Sequence, residues 1–235
     1  MNVLITGASL GIGRELAIQL ANKGYNLFLT YYSNKELCET LKKIIETNYN
    51  VKCFIQKCDL SQEEDIKEVA KNFKLNLGKL DLLINNASIS HDNLFVDKTK
   101  EEFMNVLEIN IVGTFLMCKY MIPLMNLNAT IINMASTDGI DTYSIYNLDY
   151  AISKSGIIQL TKSMALIFPD KKILAIAPNW VDTESTLEMN QDYLRSELLR
   201  IGQKKLISKQ KVADTIIKCL SNKNIKSGEV IKIYD

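Results

Sequence analysis

Short apolar runs alternate along this chain with longer segments whose apolar positions recur every three to four residues. The short runs lie at 2–6 (NVLIT), 25–30 (YNLFLT), 51–56 (VKCFIQ), 80–85 (LDLLIN), 129–135 (ATIINMA), 172–177 (KILAIA) and 229–234 (EVIKIY). Their length and continuous apolar character predict strands covered on both faces. The helical period occupies 11–23, 34–48, 61–76, 100–125 and 147–168, and returns at 209–221 before the last run. Strands and helices alternating in this way predict βαβ units and a parallel sheet. No repeat, low-complexity tract or proline- and glycine-rich linker interrupts the pattern, so one domain over 1–235 is expected. The least regular stretch is 179–208. An excursion of that length after a strand end predicts a substrate lid, placed near 183–208.

Composition narrows the partners. A chain of 235 residues suits a single core, since domains run about 50–250 residues. Its 47% hydrophobic and 23% charged residues are ordinary for a soluble globular protein. With 28 basic and 27 acidic residues the net charge is +1, so no field is directed at nucleic acid or an anionic membrane, and neither is expected as a partner. Only Arg14, Arg195 and Arg200 are arginine, which argues against a bidentate phosphate-reading surface. Cys38, Cys53, Cys58, Cys118 and Cys219 form no CxxC pair and no ligand set with the single His91. No metal is expected, and the compartment implied is a reducing cytoplasm. Strand residues begin at Asn2 without a charged leader, and no apolar run reaches about 18 residues, so neither a signal peptide nor a transmembrane helix is expected.

The candidate chemistry gathers at predicted strand ends. Tyr150 and Lys154, four residues apart, share one face of a helix one turn apart. An ammonium there favours the phenolate, which predicts a phenol titrating below its usual value of about 10. Ser136 closes the fifth apolar run, fourteen residues before Tyr150. The turn Gly7-Ala8-Ser9-Leu10-Gly11-Ile12-Gly13 follows the first strand and opens the first helix. There Gly7 permits a tight turn, Gly11 a close approach by a pyrophosphate, and Gly13 close helix–strand packing. His91 and Asp92 are adjacent in a loop with no GxSxG elbow, and they suggest no triad. Trp180 is expected beside the cofactor or the lid, and Lys204, Lys205, Lys209 and Lys211 on a solvated surface.

The spacing TGxxxGxG, with Tyr150 and Lys154 downstream, resembles the short-chain dehydrogenase/reductase family, and the resemblance runs the whole length of the chain. Asp59 and Leu60 stand where that family holds an adenine ring. Asn85-Asn86-Ala87-Ser88 is similar to its NNAG, with Ser88 for the glycine. Asn110 stands where the family keeps a catalytic asparagine, completing a tetrad with Ser136, Tyr150 and Lys154. The segment Pro178-Asn179-Trp180-Val181-Asp182-Thr183 resembles its PGxxxT, with Asn179 for the glycine. That places Pro178, Val181 and Thr183 near the nicotinamide.

The resemblance implies a doubly wound parallel Rossmann sheet of seven strands in the order 3-2-1-4-5-6-7. It also implies an NAD(P)-dependent oxidoreductase. A dinucleotide would lie along Gly7, Ser9, Gly11, Ile12, Gly13, Tyr32, Ser33, Asn34, Asp59, Leu60, Asn86, Ala87 and Ser88. It would end at Tyr150, Lys154, Pro178, Val181 and Thr183. Asn110 would hold a water that passes protons to Lys154, and Lys154 would bind the nicotinamide ribose. The second strand ends in Thr30-Tyr31-Tyr32-Ser33-Asn34-Lys35 with no acid before Glu36, which favours NADP(H) over NAD(H).

Within the family the run NNASISHDNLF looks most like the reductases of 3-oxoacyl thioesters carried on acyl carrier protein in fatty acid biosynthesis. Lys171 and Lys172 are the candidate basic dock for that acidic carrier. The alternatives are a small ketone, sugar or alcohol as substrate, and a dinucleotide-sensing regulator without catalysis, which would have no need of the Tyr–Lys pair. A homo-oligomer, tetramer or dimer, is expected through the helices at 100–125 and 147–168.

Overall fold

The computed structural model describes residues 1–235. Seven strands form one parallel sheet in the order β3-β2-β1-β4-β5-β6-β7. They are β1 Asn2–Ile5, β2 Asn26–Tyr31, β3 Cys53–Lys57, β4 Leu80–Asn85, β5 Met125–Met134, β6 Lys172–Pro178 and β7 Val230–Ile233. The helices are α1 Gly11–Asn22, α2 Lys35–Asn48, α3 Glu63–Leu77, α4 Lys100–Leu107, α5 Thr114–Met121, α6 Leu148–Ile167, α7 Glu184–Leu187, α8 Gln191–Arg200 and α9 Lys209–Ser221. Successive side chains on a strand point to opposite faces, and the core divides accordingly. Val3, Ile5, Leu27, Leu29, Leu82 and Ile84 pack with α1, α2 and α9 on one side. Leu4, Phe28, Leu83 and Ile131 pack with α3 and α5 on the other. All five cysteines are free and buried in these layers.

Three local features depart from the sequence reading. The predicted helix at 100–125 is α4, a π-helical turn at Glu108–Gly113, α5 and a 3-10 turn at Ile122–Leu124. This run, Lys100–Leu124, holds an 18-residue window of mean hydropathy 1.3, apolar and long enough by composition to cross a membrane. The apolar-run criterion missed it because polar residues are spread through it. Here Met117, Cys118 and Met121 bury its inner side in the core. β5 starts four residues early, at an irregularity where Asn128 adopts φ +60. The stretch 179–208 is not plain loop but carries α7 and α8.

The start of α4 is locally encoded. Thr99 accepts from the Glu102 N–H at 3.2 Å, and the Glu102 carboxylate accepts from the Thr99 N–H at 2.9 Å, a reciprocal capping box. Glu102 also accepts from Asn93 at 2.9 Å, which ties the loop after β4 to this helix. Replacing Thr99 by Ala removes one cap and is expected to cost about 1 kcal/mol in urea denaturation, with the fold retained.

Candidate active site

Parallel strands leave a crevice at their carboxyl ends where the sheet order reverses. Here that point lies between β1 and β4, and a cleft of about 780 Å³ opens there. Gly7 turns the chain at φ +63, and a Cβ on it would meet the Cα and Cβ of Ala87 at 2.9 Å. Asn86 bolts the two loops together, its Nδ2 donating to the carbonyls of Thr6 and Gly7, both at 3.0 Å. The backbone N–H groups of Asn86 and Ala87 both donate to the Thr6 hydroxyl. Leu10 at the N-cap of α1 offers no side-chain cap, and the first turn of that helix holds no acidic residue. This is a cradle fitted to an anionic group.

Ser9, Gly11, Ile12, Tyr32, Ser33, Asn34, Asp59, Leu60, Asn86, Ala87 and Ser88 line the cleft with Gly7. Ser136, Tyr150, Lys154, Pro178, Trp180, Val181 and Thr183 line it as well. Two of the candidate residues do not. Gly13 lies behind the turn, where a Cβ would stand 2.6 Å from Asn86 Nδ2 and from the Gly7 carbonyl, so it serves packing alone. Asn110 sits in the π-helical turn and is buried beneath the loop after β4. Its Oδ1 accepts from the Ile89 N–H, and its Nδ2 donates to the Ile89 carbonyl and to Ser153 Oγ at 2.9 and 3.0 Å. The side chain is therefore committed to holding that loop on α6 and does not reach the cleft.

Ser136, Tyr150 and Lys154 meet on the cleft wall. Ser136 Oγ accepts from the Asp138 N–H at 3.1 Å, capping the 3-10 turn Thr137–Gly139. That turn lies directly on α6, because a Cβ on Gly139 would fall 2.6 Å from the Lys154 carbonyl carbon and the Ser155 nitrogen. Ser155 Oγ adds a 2.8 Å bond to the Gly139 carbonyl. Lys154 Nζ donates to the Met134 carbonyl at 2.8 Å and stands 5.2 Å from the centre of the Tyr150 ring.

The electrostatics run opposite to the spacing argument. Burial raises the Tyr150 phenol above its ordinary value, the charge of Asp138 adds to the rise, and a hydrogen bond from Ser136 only partly opposes it. Burial also pushes the Lys154 amine down to about 7. Lysine sits over the ring face and gives its hydrogen bond to a backbone carbonyl, so it does not hold the phenol oxygen as phenolate. Tyr150 is protonated at neutral pH, the state a proton donor needs.

Sequence reasoning missed the feature that fixes the start of α6. Lys98 and Asp149 form a buried ion pair at 3.0 Å, with side chains 5% and 0% exposed. Lys98 also donates to the His91 carbonyl, and Asp149 accepts from the Tyr150 N–H at 2.9 Å. Adjacency of Asp149 to Tyr150 is its only trace in the sequence. Asp92, Asp138 and Asn147 also line the cleft. His91 is held by Asn105 at 3.1 Å and forms no triad with Asp92.

The comparisons with known proteins agree with this geometry. A family profile described as short chain dehydrogenase matches residues 1–194, and the chain belongs to that family. It is 30% identical over 226 residues to a 3-oxoacyl-(acyl-carrier-protein) reductase of Staphylococcus epidermidis, covering 94% of this chain and 92% of that protein. Among solved structures, a dehydrogenase/reductase from Sinorhizobium meliloti superposes with a TM-score of 0.92 at 23% identity, over 99% of this chain and 92% of that one. A short chain dehydrogenase from Burkholderia cenocepacia in complex with NADP superposes with a TM-score of 0.91 at 20% identity, over 99% and 95%. At those identities the structural likeness is one of fold, a doubly wound Rossmann sheet.

Two stability measurements check the site. Lys98→Met leaves Asp149 buried without a partner and is expected to cost about 3–5 kcal/mol in urea denaturation, most of it recovered in Lys98→Met/Asp149→Asn. Lys154 titrates lower folded than unfolded, so from pH 7 to about 8 the unfolded chain binds more protons and stability rises with pH. From about pH 8 upward the thiols, which ionise in the unfolded chain and are held protonated in the fold, oppose the trend and then outweigh it. Lys154→Met is expected to flatten the rise between pH 7 and about 8.

Proposed function

We propose that this protein is an NADP(H)-dependent reductase that converts a carbonyl to an alcohol, with a 3-oxoacyl thioester as substrate. The observation that carries the reading is the meeting of a protonated Tyr150, Lys154 and Ser136 on the wall of a cleft that begins at a glycine-lined anion cradle. When bound, the reduced dinucleotide supplies hydride. Tyr150 gives its proton to the carbonyl oxygen as that oxygen gains charge. Ser136 Oγ accepts from the Asp138 N–H, and its own hydrogen, directed at the Tyr150 oxygen in the free protein, turns to the same carbonyl oxygen. Lys154, titrating near neutrality beside the ring, returns a proton to the phenol. Asn110 acts by holding the loop after β4.

The choice of NADP(H) is supported by Tyr32, Ser33 and Asn34, which face the cleft with no acid before Glu36. Asn34 makes no side-chain cap on α2, so its amide is open to a 2′-phosphate. The complex of the Burkholderia protein with NADP favours the same choice. The thioester is favoured by the names of the curated reductases. Lys171 and Lys172 do not supply the dock for an acyl carrier. They lie at the opposite end of β6 from the cleft, Lys171 is 7% exposed, and Lys172 donates to the carbonyls of Cys219 and Asn222 at 2.7 Å.

A second reading, a small ketone or sugar bearing hydroxyls, is favoured by acceptors at the same cleft. Asp92 and Asp138 line it, and Asn147 Oδ1 is buried there with no donor. The stretch 183–208, with α7 and α8, serves as the lid in either case. Exposed Met104, Val112 and Phe115, with Leu148 and Ile152 on α6, are the proposed faces for self-association in the cytoplasm.

The test is turnover of NADPH with acetoacetyl thioesters beside a panel of hydroxylated ketones and sugars. Reduction of the thioesters with NADPH preferred over NADH is expected. Inert thioesters with active sugars would select the second reading, and no turnover of any carbonyl would leave a dinucleotide sensor. Tyr150→Phe is expected to lower kcat by about 10²–10⁴-fold with little change in NADPH affinity. Lys154→Met is expected to damage both.

A further inference from the structure

The donor at the start of α1 is already occupied, by a carboxylate from the lid. Glu184, the first residue of α7, reaches back across the cleft, and its Oε2 accepts from the Gly11 N–H at 2.8 Å. Its Oε1 accepts from Lys209 Nζ at 2.6 Å, at the first turn of α9. Gly11 and Thr183 are close as well, since a Cβ on Gly11 would meet Thr183 Cγ2 at 3.2 Å. Lys209 is thus not one of a set of solvated surface lysines but the counter-charge to Glu184.

A helix N-terminus favours an anion, and Glu184 is the anion this chain provides for itself. A second anion at the same donor meets its repulsion. We infer that Glu184 is an internal stand-in for the dinucleotide phosphates, a latch that holds α7 over the turn until cofactor displaces it. Displacement releases the lid at its first residue and leaves Lys209 without its partner beside the incoming phosphates. Cofactor entry and movement of the lid are one event in this scheme, and Glu184 sets the cofactor affinity. The inference rests on reading the glycine turn as a phosphate cradle.

NADPH binding, followed by nucleotide fluorescence without substrate, tests it, with thermal unfolding as the control for folding. Glu184→Gln keeps the shape and removes the charge, and is expected to lower the Kd for NADPH at least about fivefold. Lys209→Met, which leaves Glu184 unopposed, is expected to raise the Kd severalfold. Glu184→Gln with unchanged or weaker binding and normal unfolding overturns the latch. If Glu184→Gln does not fold, Glu184→Asp replaces it, one methylene too short to reach Gly11; tighter binding supports the latch and unchanged or weaker binding overturns it. Failure of both wild type and Glu184→Gln to bind NADPH overturns the cradle itself, whereas binding by wild type with no gain in Glu184→Gln overturns only the latch.

Discussion

The end of the cleft that holds Ser136, Tyr150 and Lys154 depends on two stretches of backbone touching with no side chain between them. Ser136 is at the end of a strand, while Tyr150 and Lys154 are on a helix that the chain reaches only after a further loop. They share a wall because Gly139 lies against the backbone of Lys154 and Ser155. Any Cβ at 139 would push the strand end away from the helix, and close packing offers no slack to absorb the shift. The glycine-turn end is built on the same constraint, with Gly7 against Ala87 and Gly13 against the Gly7 carbonyl. The sheet sets the distance between the two ends, and the glycines let its loops close on each other.

What was legible in the sequence follows from which forces are local. The strands announced themselves because parallel strands buried on both faces tolerate almost nothing polar, and their parallel pairing followed from the alternation with helices, while their order came from the family resemblance. The glycine turn and Ser136 were readable because each stands at an element end, and Tyr150 and Lys154 because a four-residue spacing puts them on one helix face. The helices within 179–208 were not, since α8 is mostly polar and its burial rests on few residues such as Leu194 and Glu197. The π-helical turn at Asn110 was invisible for a related reason. It adds no residue type of its own and is maintained by tertiary bonds to Ile89 and Ser153.

Charge was the least legible property. A four-residue spacing says that Tyr150 and Lys154 are neighbours but not how much water surrounds them, and burial reversed the expected direction for the phenol. Lys98 and Asp149 are 51 residues apart, and nothing in either neighbourhood marks them as a pair. A buried ion pair is poor evidence of added stability, because its desolvation offsets most of the attraction. Its value here is geometric, as it joins the loop after β4 to the first turn of α6.

The five cysteines have a use that lies outside the chemistry of the cleft. Alkylation requires a thiolate, and burial raises Cys38 to about 11 and Cys53, Cys58 and Cys118 to about 12. They are divided between the two faces of the sheet. A thiol reagent would therefore report chain opening rather than surface exposure. The order in which the five sites are labelled would show which face of the sheet comes apart first.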